Sequence, residues 1–580
     1  MKLRTSFFNG TLYRKNLTRF SPVWAVYSIV LFLYFSVIAG MGSHYVRCLN
    51  GADMAICMSV VNLIYAGILG ITLFGDLFNT RHCNMLHAFP LRRETIFFTN
   101  LLSAFTFALV PNLIIALISL PFMGPGWLVS VGWFLASVLT FLFYMGCAML
   151  AVMLTGNRLG FMAVNVLLNF LSLLFLWFGK TIFMPLLFGI RIPQEPFLLF
   201  CPTYNILYQG NLVDVKLKGL DTMGEYIQFA SSESEFTVTL GYGWGYVAIC
   251  AVIGVALMAL ALALYRKRKL ETAGDFIAVK AIEPIFLVLF TLGMGGFFQL
   301  YSDMFGYGSQ YVFLAMGLIV GFFGCLMLLQ KTTRVFSLKS FRNFGIFAAT
   351  LAALLLMTKL DPLGLTRKIP DSEDIVSVTV GQTYASAEVM WDEIVLTDPE
   401  DIETIRSVHE FAINDDERHY SEDGNNIYYL DIGIDYTLTN GKILSRYYSI
   451  PVGTKAAEDL RPIFSRIECV AHMTEEEFLA LEDGVYMIYA DDTNLTINQN
   501  SDIDVAGLLE AILADFESGA MVQYTEYHIE TDEDGQYLKE NHYLEIGYTT
   551  PDGVSTGIWL NVYDECVNTI AWMAENNILR

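Results

Sequence analysis

The chain has 580 residues, of which 54% are hydrophobic and 16% are charged, and its formal net charge is −23. This average conceals two opposite parts: residues 1–359 hold 24 Lys and Arg against 13 Asp and Glu, whereas residues 360–580 hold 11 against 45. The contrast excludes a single soluble domain, and the acidity of the second part opposes binding to nucleic acid.

The first part contains nine apolar runs of about the length that crosses a hydrocarbon core, which takes roughly 20 helical residues. They cover residues 23–41, 55–75, 101–123, 128–154, 159–178, 244–265, 284–301, 311–330 and 344–358, and the last is the shortest. No small-residue cleavage site follows the first run, which favours an anchor helix over a removed signal peptide. We therefore expect a polytopic α-helical membrane protein with about nine transmembrane helices.

Lys and Arg in the short loops predict the orientation, because they resist translocation. With the N-terminus in the cytoplasm, the inside segments carry 18 Lys and Arg and the outside segments carry 5. An odd number of spans then places residues 360–580 outside the cell. If the run 344–358 does not span, that part is cytoplasmic instead.

Polar side chains inside the predicted spans are uncharged. Within these boundaries no span has an Asp, Glu, Lys, Arg or His in its interior, which disfavours proton or sodium coupling. Asn62, Asn112, Asn165 and Asn169 are the candidate translocation surface, and the last two share a helix face because they are four residues apart. The alternative role of these amides is hydrogen bonding between helices.

The chain has no phosphate-binding loop of its own. The sequence Gly179-Lys180-Thr181 resembles the end of such a loop, but Leu174 stands where its first glycine is required. We therefore expect a non-catalytic chain with no ATP site of its own.

The stretch 74–100, FGDLFNTRHCNMLHAFPLRRETIFFTN, resembles the cytoplasmic segment between the second and third helices of type-2 ABC exporter permeases. In that family a Leu/Phe-Pro-x-x-Arg element precedes a helix that re-enters the membrane, and the segment docks onto a separate ATPase subunit. The matching residues are Phe89, Pro90, Leu91, Arg92 and Arg93, followed by Glu94. The resemblance implies that these residues dock an ATPase.

Two further features resemble that family. Residues 3–20 stand where its members have a cytoplasmic interfacial helix, and the short apolar runs 181–190 and 197–207 stand where they have re-entrant helices. The resemblance implies an interfacial helix in 1–21, a six-helix permease core in 22–270 with re-entrant segments near 181–207, three added transmembrane helices in 271–359, and an acidic extracytoplasmic domain in 360–580.

This extended layout resembles a Gram-positive subgroup of these permeases. It implies a multi-pass protein of the bacterial plasma membrane, in contact with membrane lipid. The expected partners are an ABC ATPase subunit and a second permease, identical or related, because such an exporter needs two membrane halves. No cofactor is expected in this chain, since the partner ATPase binds ATP and Mg.

Residues 360–580 mix strand and helix patterns, which predicts an α+β fold. The runs 428–438 and 443–450 flank Asn440-Gly441, a pair that favours a tight hairpin turn. Helix starts are predicted at Asp398-Pro399, at the capping box of Thr474 with Glu477, and before the apolar spacing of 504–517.

We expect no metal site and no catalytic residues in this acidic part. Glu530, Asp532 and Asp534 resemble the start of a calcium loop, but Asn541 stands where a bidentate Glu is required, which favours a hairpin turn. Its histidines lack ligand spacing. Cys469 and Cys566 are compatible with a disulfide or with two buried thiols.

Two functions from different classes remain. The first is a permease subunit of an ABC transporter, which couples ATP hydrolysis by a separate ATPase to export of an unidentified substrate. The second is a membrane-embedded sensor or mechanotransmitter, whose outer domain binds an envelope ligand without translocation. The acidity of residues 360–580 either attracts a cationic ligand or only keeps the domain solvated.

Overall fold

The computed structural model describes residues 7–41, 44–183, 186–190, 201–209, 212–217, 236–305, 310–383, 390–414, 429–451, 453–471, 473–490, 493–496, 503–521, 541–549, 555–576 and 578. They fall into two compact units. The helical unit holds the described parts of 7–179, 201–217 and 236–352. The C-terminal unit holds those of 180–190 and 353–578.

Helices dominate the first 360 residues. They are α1 Gly10–Arg19, α2 Ser21–Ala39, α3 His44–Leu73, α4 Thr80–Ala88, α5 Arg93–Met123, α6 Leu128–Leu154, α7 Arg158–Phe178, α8 Pro202–Gln209, α9 Trp244–Lys267, α10 Glu283–Phe305, α11 Gln310–Gln330 and α12 Leu338–Leu360. A two-stranded antiparallel hairpin, β1 Val213–Leu217 and β2 Phe236–Leu240, precedes α9. Within the described ranges, nine helices are long and apolar enough to cross a membrane, which confirms the nine predicted apolar helices.

Several of these helices are longer than the apolar runs that predict them. α3 begins at His44 rather than at 55, α5 at Arg93 rather than at 101, and α12 at Leu338 rather than at 344. In each case polar residues form the first turns, so hydropathy alone locates the start too late. The doubtful ninth run is a helix of 23 residues.

The packing of the helical unit centres on α6, of which 83% of the most apolar stretch is buried. Gly146 on α6 faces Gly254 on α9, where an added Cβ on Gly254 would lie 2.5 Å from the Phe143 Cα. Small residues let two helix backbones approach this closely. The matching stretch of α12 is 0% buried.

The predicted interfacial and re-entrant segments are described in part. α1 falls in the predicted helix 3–20, of which residues 1–6 lie outside the described residues. The run 181–190 begins within a π-helical turn, Gly179–Phe183, that continues α7. The run 197–207 overlaps α8, and 197–200 lie outside the described residues.

The C-terminal unit contains two four-stranded antiparallel sheets with helices, as the predicted α+β pattern requires. The first sheet has the order β4-β3-β5-β6, and the second has the order β10-β9-β7-β8. Their elements are β3 Ile375–Thr383, β4 Met390–Leu396, α13 Pro399–Asn414, β5 Tyr429–Leu438, β6 Ile443–Pro451, α14 Lys455–Phe464, α15 Ile467–Ala471, α16 Glu475–Leu479, β7 Val485–Ala490, β8 Thr493–Thr496, α17 Val505–Glu517, β9 Asn541–Thr549, β10 Ser555–Tyr563 and α18 Val567–Glu575.

The predicted hairpin at Asn440-Gly441 and the predicted helix starts of this unit are confirmed. The β5–β6 hairpin turns at Gly441, whose φ is +75°. The Asp398 carboxylate caps α13 by accepting the Glu400 N–H at 2.9 Å, and the capping box of α16 is present. Cys469 and Cys566 are buried in different cores and remain thiols rather than forming a disulfide.

Candidate functional site

The residues predicted to dock an ATPase lie in a segment that we call the corner segment, residues 80–94, which contains α4, a turn and the first residues of α5. The Asn79 side chain caps α4 by accepting two backbone N–H groups. After α4 the backbone is extended at Phe89 and at Arg92, the residue before α5. Pro90 lies in this extended stretch and has no N–H to continue a helix. The chain therefore changes direction between α4 and α5.

The outward face of the corner segment combines apolar and cationic side chains. Met85 is 57% exposed and Phe89 is 54% exposed. Pro90 and Arg92 are also exposed, and Leu91 is half-buried. Exposed apolar side chains beside an arginine are typical of protein–protein contacts.

The next two predicted docking residues attach the corner segment to the end of α9. The Arg93 guanidinium donates hydrogen bonds to the carbonyl oxygens of Tyr265, Arg266 and Arg268 at 2.9, 3.1 and 2.8 Å. Glu94 forms an ion pair with the Arg266 side chain at 3.0 Å. The last carbonyls of a helix have no partner within it, and they attract a cation. Arg93 therefore caps α9.

A histidine of α4 provides a second connection to α9. His87 Nδ1 lies 2.8 Å from the Cys83 carbonyl oxygen, and Nε2 lies 3.0 Å from the Tyr265 hydroxyl. Burial lowers the pKa of His87, so the neutral imidazole donates from Nδ1 and accepts at Nε2. Movement of α4 would therefore be transmitted to α9.

The loops at this end of the helical unit are joined to one another. Arg268 donates to the carbonyl oxygens of Val152 and Leu77 at 2.7 and 3.3 Å, and burial lowers its pKa. The Gly156 N–H donates to the Asp275 carbonyl at 3.0 Å. A Cβ on Gly156 would lie 2.6 Å from that carbonyl oxygen, so glycine is required here. The ends of α3, α6 and α9 thus form one assembly.

Two of the four predicted translocation residues lie in a buried polar network. Asn62 donates to the Ser137 carbonyl oxygen and to the Thr140 hydroxyl at 3.0 and 2.8 Å. Asn112 donates to the Tyr27 hydroxyl at 2.7 Å and accepts from the Ser137 hydroxyl at 3.2 Å. The network connects α2, α3, α5 and α6, as the hydrogen-bonding alternative describes.

The other two asparagines, Asn165 and Asn169, are hydrogen-bonded to each other within α7. Asn169 is buried and donates to the Asn165 carbonyl oxygen at 2.8 Å. Its own side-chain oxygen has no hydrogen-bond partner among the described residues. Asn165 is half-buried, and its Nδ2 would lie 3.6 Å from a Cβ on Gly67 of α3. The four-residue spacing therefore correctly predicts that Asn165 and Asn169 share a helix face.

Tyrosine and serine side chains extend the polar contacts, and the sequence analysis did not identify them. The Tyr144 hydroxyl lies 2.6 Å from the Ser59 hydroxyl and 3.0 Å from that of Thr203. The Tyr27 and Tyr65 rings stack with their centroids 3.8 Å apart. The available signal is that these tyrosines interrupt otherwise aliphatic runs.

A buried histidine lies among tyrosines in the first sheet of the C-terminal unit. His409 is 0% exposed, and its Nδ1 lies 3.1 Å from the Tyr436 hydroxyl. Its ring packs against the Tyr448 ring, with the centroids 5.2 Å apart. Burial, together with the positive charges of Arg446 and Arg406, lowers the pKa of His409 to about 3. The imidazole is therefore neutral at physiological pH.

The segment 186–190 pairs with the outer edge of the same sheet. The Gly189 carbonyl oxygen accepts the Tyr447 N–H at 3.1 Å, and the last residue of the segment forms a β-bridge with Arg446. Gly189 has a φ of +71°, and a Cβ there would overlap the Tyr448 ring. Glycine is thus needed both for the backbone conformation and for the contact.

An acidic groove of about 900 Å³ lies between β4, α13 and α14. Its carboxylates are Glu393, Asp398, Glu400, Asp401, Asp459, Glu468 and Glu477, and its cation is Arg466. Asp401 accepts both guanidinium hydrogen bonds of Arg466 at 2.7 and 2.8 Å. The field of the groove attracts cations.

The described residues contain no group of His, Cys, Asp and Glu arranged to hold a metal ion. The predicted calcium-like loop, with Glu530, Asp532 and Asp534, lies outside the described residues. Comparison with known proteins identifies no relative: no family model, no curated protein and no solved structure matches this chain.

Proposed function

We propose that this chain is the membrane subunit of an ABC exporter, in which a separate ATPase binds the corner segment and drives movement of the apolar helices. The observation that carries the proposal is that some residues of that segment are exposed while others are bonded to α9. Its outward face presents Met85, Phe89 and Arg92, whereas Arg93 is hydrogen-bonded to the end of α9. A partner bound to that exposed face would therefore push directly on α9, a long apolar helix.

The connections beyond α9 support the same mechanism. Arg268 holds the ends of α3 and α6 through the Leu77 and Val152 carbonyls. α9 and α6 are also in backbone contact at Gly254 and Gly146. A displacement at the corner segment would thus move α6, α9 and their loops as a rigid group rather than bend one loop.

We place the translocation path at the junction of two permease chains. Within one chain, Asn62 and Asn112 are both hydrogen-bonded to Ser137 and are fully buried. They therefore do not line an open path. A second copy of this chain or a related permease would complete the transporter. The substrate is unidentified, and the proposed location is a bacterial plasma membrane with the N-terminus in the cytoplasm and residues 360–580 outside.

The decisive experiment is purification of the tagged chain in mild detergent, followed by identification of bound proteins and an ATPase assay. We expect an ABC ATPase to co-purify with the wild-type chain. The double variant Phe89→Asp/Arg92→Glu should reduce the bound ATPase roughly tenfold, because it removes an apolar anchor and inverts a charge at the contact.

The matched control is Phe336→Asp/Lys339→Glu, which makes the same changes at exposed positions away from the corner segment. It should retain the ATPase. Equal retention by both variants would remove the corner segment as the docking site, and a wild-type chain that purifies without any ATPase would contradict the exporter proposal.

The alternative proposal is a membrane-embedded sensor or mechanotransmitter. The acidic groove favours this alternative, because seven carboxylates and only one arginine line it. Such a groove would select a cationic envelope ligand. Under this alternative, the purified chain binds a polycation such as spermine in the absence of any ATPase, and charge reversal at Glu400 and Asp459 abolishes that binding.

A further inference from the structure

An apolar groove of about 320 Å³ runs between α2 and α5 in the helical unit. Leu17 of α1 and Trp24 of α2 line it at one end. Phe32 of α2 and Ile118 of α5 line it towards the other end. Because Phe32 follows Trp24 by eight positions in the helix, the groove extends about 12 Å along α2.

The polar side chains of the groove already donate their hydrogen bonds within the protein. Its two hydroxyls are engaged within the protein: Ser28 donates to the Trp24 carbonyl at 2.7 Å, and Thr106 donates to the Leu102 carbonyl at 2.9 Å. The Trp24 indole N–H donates to the Leu17 carbonyl at 3.3 Å. The groove therefore accepts hydrocarbon rather than a polar molecule.

Exposed cations lie near the Leu17 end, whereas Arg47, beyond the other end, donates hydrogen bonds to the Met41 and Phe122 carbonyl oxygens. Arg14 precedes Leu17 by three residues on α1, so the two share a helix face. Arg14 and Lys15 are exposed, and in the described part of the chain neither makes an ion pair. Arg19, in contrast, is paired with Asp76 at 3.8 Å. An occupant with an apolar tail and an anionic head matches this distribution.

We propose that this groove holds one acyl chain of an anionic phospholipid, whose phosphate binds Arg14 and Lys15. The proposal rests on the membrane placement that the exporter proposal also requires, but it does not depend on ATP-driven transport. Trp24 lies at the headgroup level of the lipid, as tryptophans do at membrane interfaces. The site would fix α1 to the membrane surface beside α5.

The test uses the full chain in phosphatidylcholine vesicles that contain either brominated phosphatidylglycerol or brominated phosphatidylcholine. Bromine quenches nearby tryptophan fluorescence, and the Trp24 contribution is the difference between the wild type and Trp24→Phe. We expect the phosphatidylglycerol probe to quench this contribution at least roughly fivefold more effectively, since each Lys or Arg near a membrane contributes about 1 kcal/mol towards anionic lipid.

Two pairs of variants separate the head from the tail. Arg14→Gln/Lys15→Gln should remove the preference for phosphatidylglycerol, whereas Lys339→Gln/Arg342→Gln, which removes two exposed cations elsewhere, should retain it. Ile114→Phe narrows the groove and should reduce quenching by both probes. Leu117→Phe, at an exposed position of α5 outside the groove, should leave it unchanged.

Three results would overturn the proposal. Equal quenching by both probes in the wild type means ordinary boundary lipid. No quenching of Trp24 by either probe means that protein, such as a second copy, covers the groove. A chain that fails to float with the vesicles refutes the membrane placement itself, whereas either of the first two results, in a wild-type chain that still co-purifies with an ATPase, refutes the lipid site alone.

Discussion

Arg92 and Arg93 are adjacent and chemically identical, yet their surroundings differ. Arg92 is exposed on the corner segment, whereas Arg93 donates to three carbonyl oxygens at the end of α9. The sequence resemblance predicts the same docking role for both, because a motif does not record which arginine is satisfied within its own chain. Substitution of Arg92 therefore tests docking alone, whereas substitution of Arg93 also breaks the contact with α9.

His409 makes the stability of the C-terminal unit depend on pH. Its pKa is about 3 in the folded state and 6.5 ordinarily, so below pH 6.5 the unfolded chain binds a proton that the folded chain excludes. Stability is then lost as pH falls from 6.5 towards 3. Between pH 7 and pH 5, this group should cost about 2 kcal/mol of unfolding free energy, from 1.36 kcal/mol per pKa unit.

The measurement is urea unfolding of the C-terminal unit within the full chain at both pH values. The variant His409→Phe keeps a planar ring beside Tyr448 but cannot titrate, so its loss of stability between pH 7 and pH 5 should be smaller by about 2 kcal/mol. An identical loss in the variant and the wild type would mean that other groups cause the pH dependence.

At the scale of elements, the contact of α6 with α9 depends on the absence of side chains. A Cβ on Gly254 would lie 2.5 Å from the Phe143 Cα, whereas a Cβ on Gly245 of the same helix meets nothing within 4 Å. We expect Gly254→Val to separate the helices and to lower the thermal unfolding midpoint in detergent by several degrees, since overpacking typically costs about 1–3 kcal/mol.

Gly245→Val is the matched control, because it adds the same side chain to α9 in open space. It should leave the midpoint nearly unchanged. Equal shifts in the two variants would show that β-branching in α9, rather than the α6 contact, limits stability.

Sequence patterns predict these elements unevenly, for physical reasons. The hairpin turn at Gly441 and the caps at Asp398 and Thr474 follow from neighbouring residues, so local chemistry is sufficient to locate them. The β1–β2 hairpin was not predicted, although VDVKL and FTVTL both alternate. The long interval between its two strands hides the pairing, which no short turn signal indicates.

The candidate site shows the same limit. The spacing of Asn165 and Asn169 is a property of one helix and can be read directly from the sequence. The bond between Asn112 and Ser137, and the chain of hydroxyls through Tyr144, join different helices. Such contacts depend on how the helices pack, which hydropathy does not specify.

At the scale of the whole molecule, the proposed topology places the two ends of the chain on opposite sides of the membrane. A cysteine introduced at Lys442, in the exposed β5–β6 turn, should react with an impermeant thiol reagent in intact cells. A cysteine introduced at Arg81, on α4, should react only after the membrane is permeabilised.

The unmodified chain is the background, because it already contains nine cysteines. Labelling at position 81 but not at 442 in intact cells would show that the orientation in the membrane is opposite to the proposed one. Labelling of neither before permeabilisation would place residues 360–580 in the cytoplasm and would mean that one of the nine apolar helices does not cross.

The pairing of Gly189 with Tyr447 has a consequence for how the protein is produced. β6 is the outermost strand of its sheet, and the short turn segment that pairs with it is synthesised more than 200 residues earlier. A recombinant fragment that starts at residue 360 would lack that segment and would expose unpaired N–H and C=O groups, which favour edge-to-edge aggregation. Fragments designed for crystallisation should therefore carry residues 186–190 as a fused or added peptide.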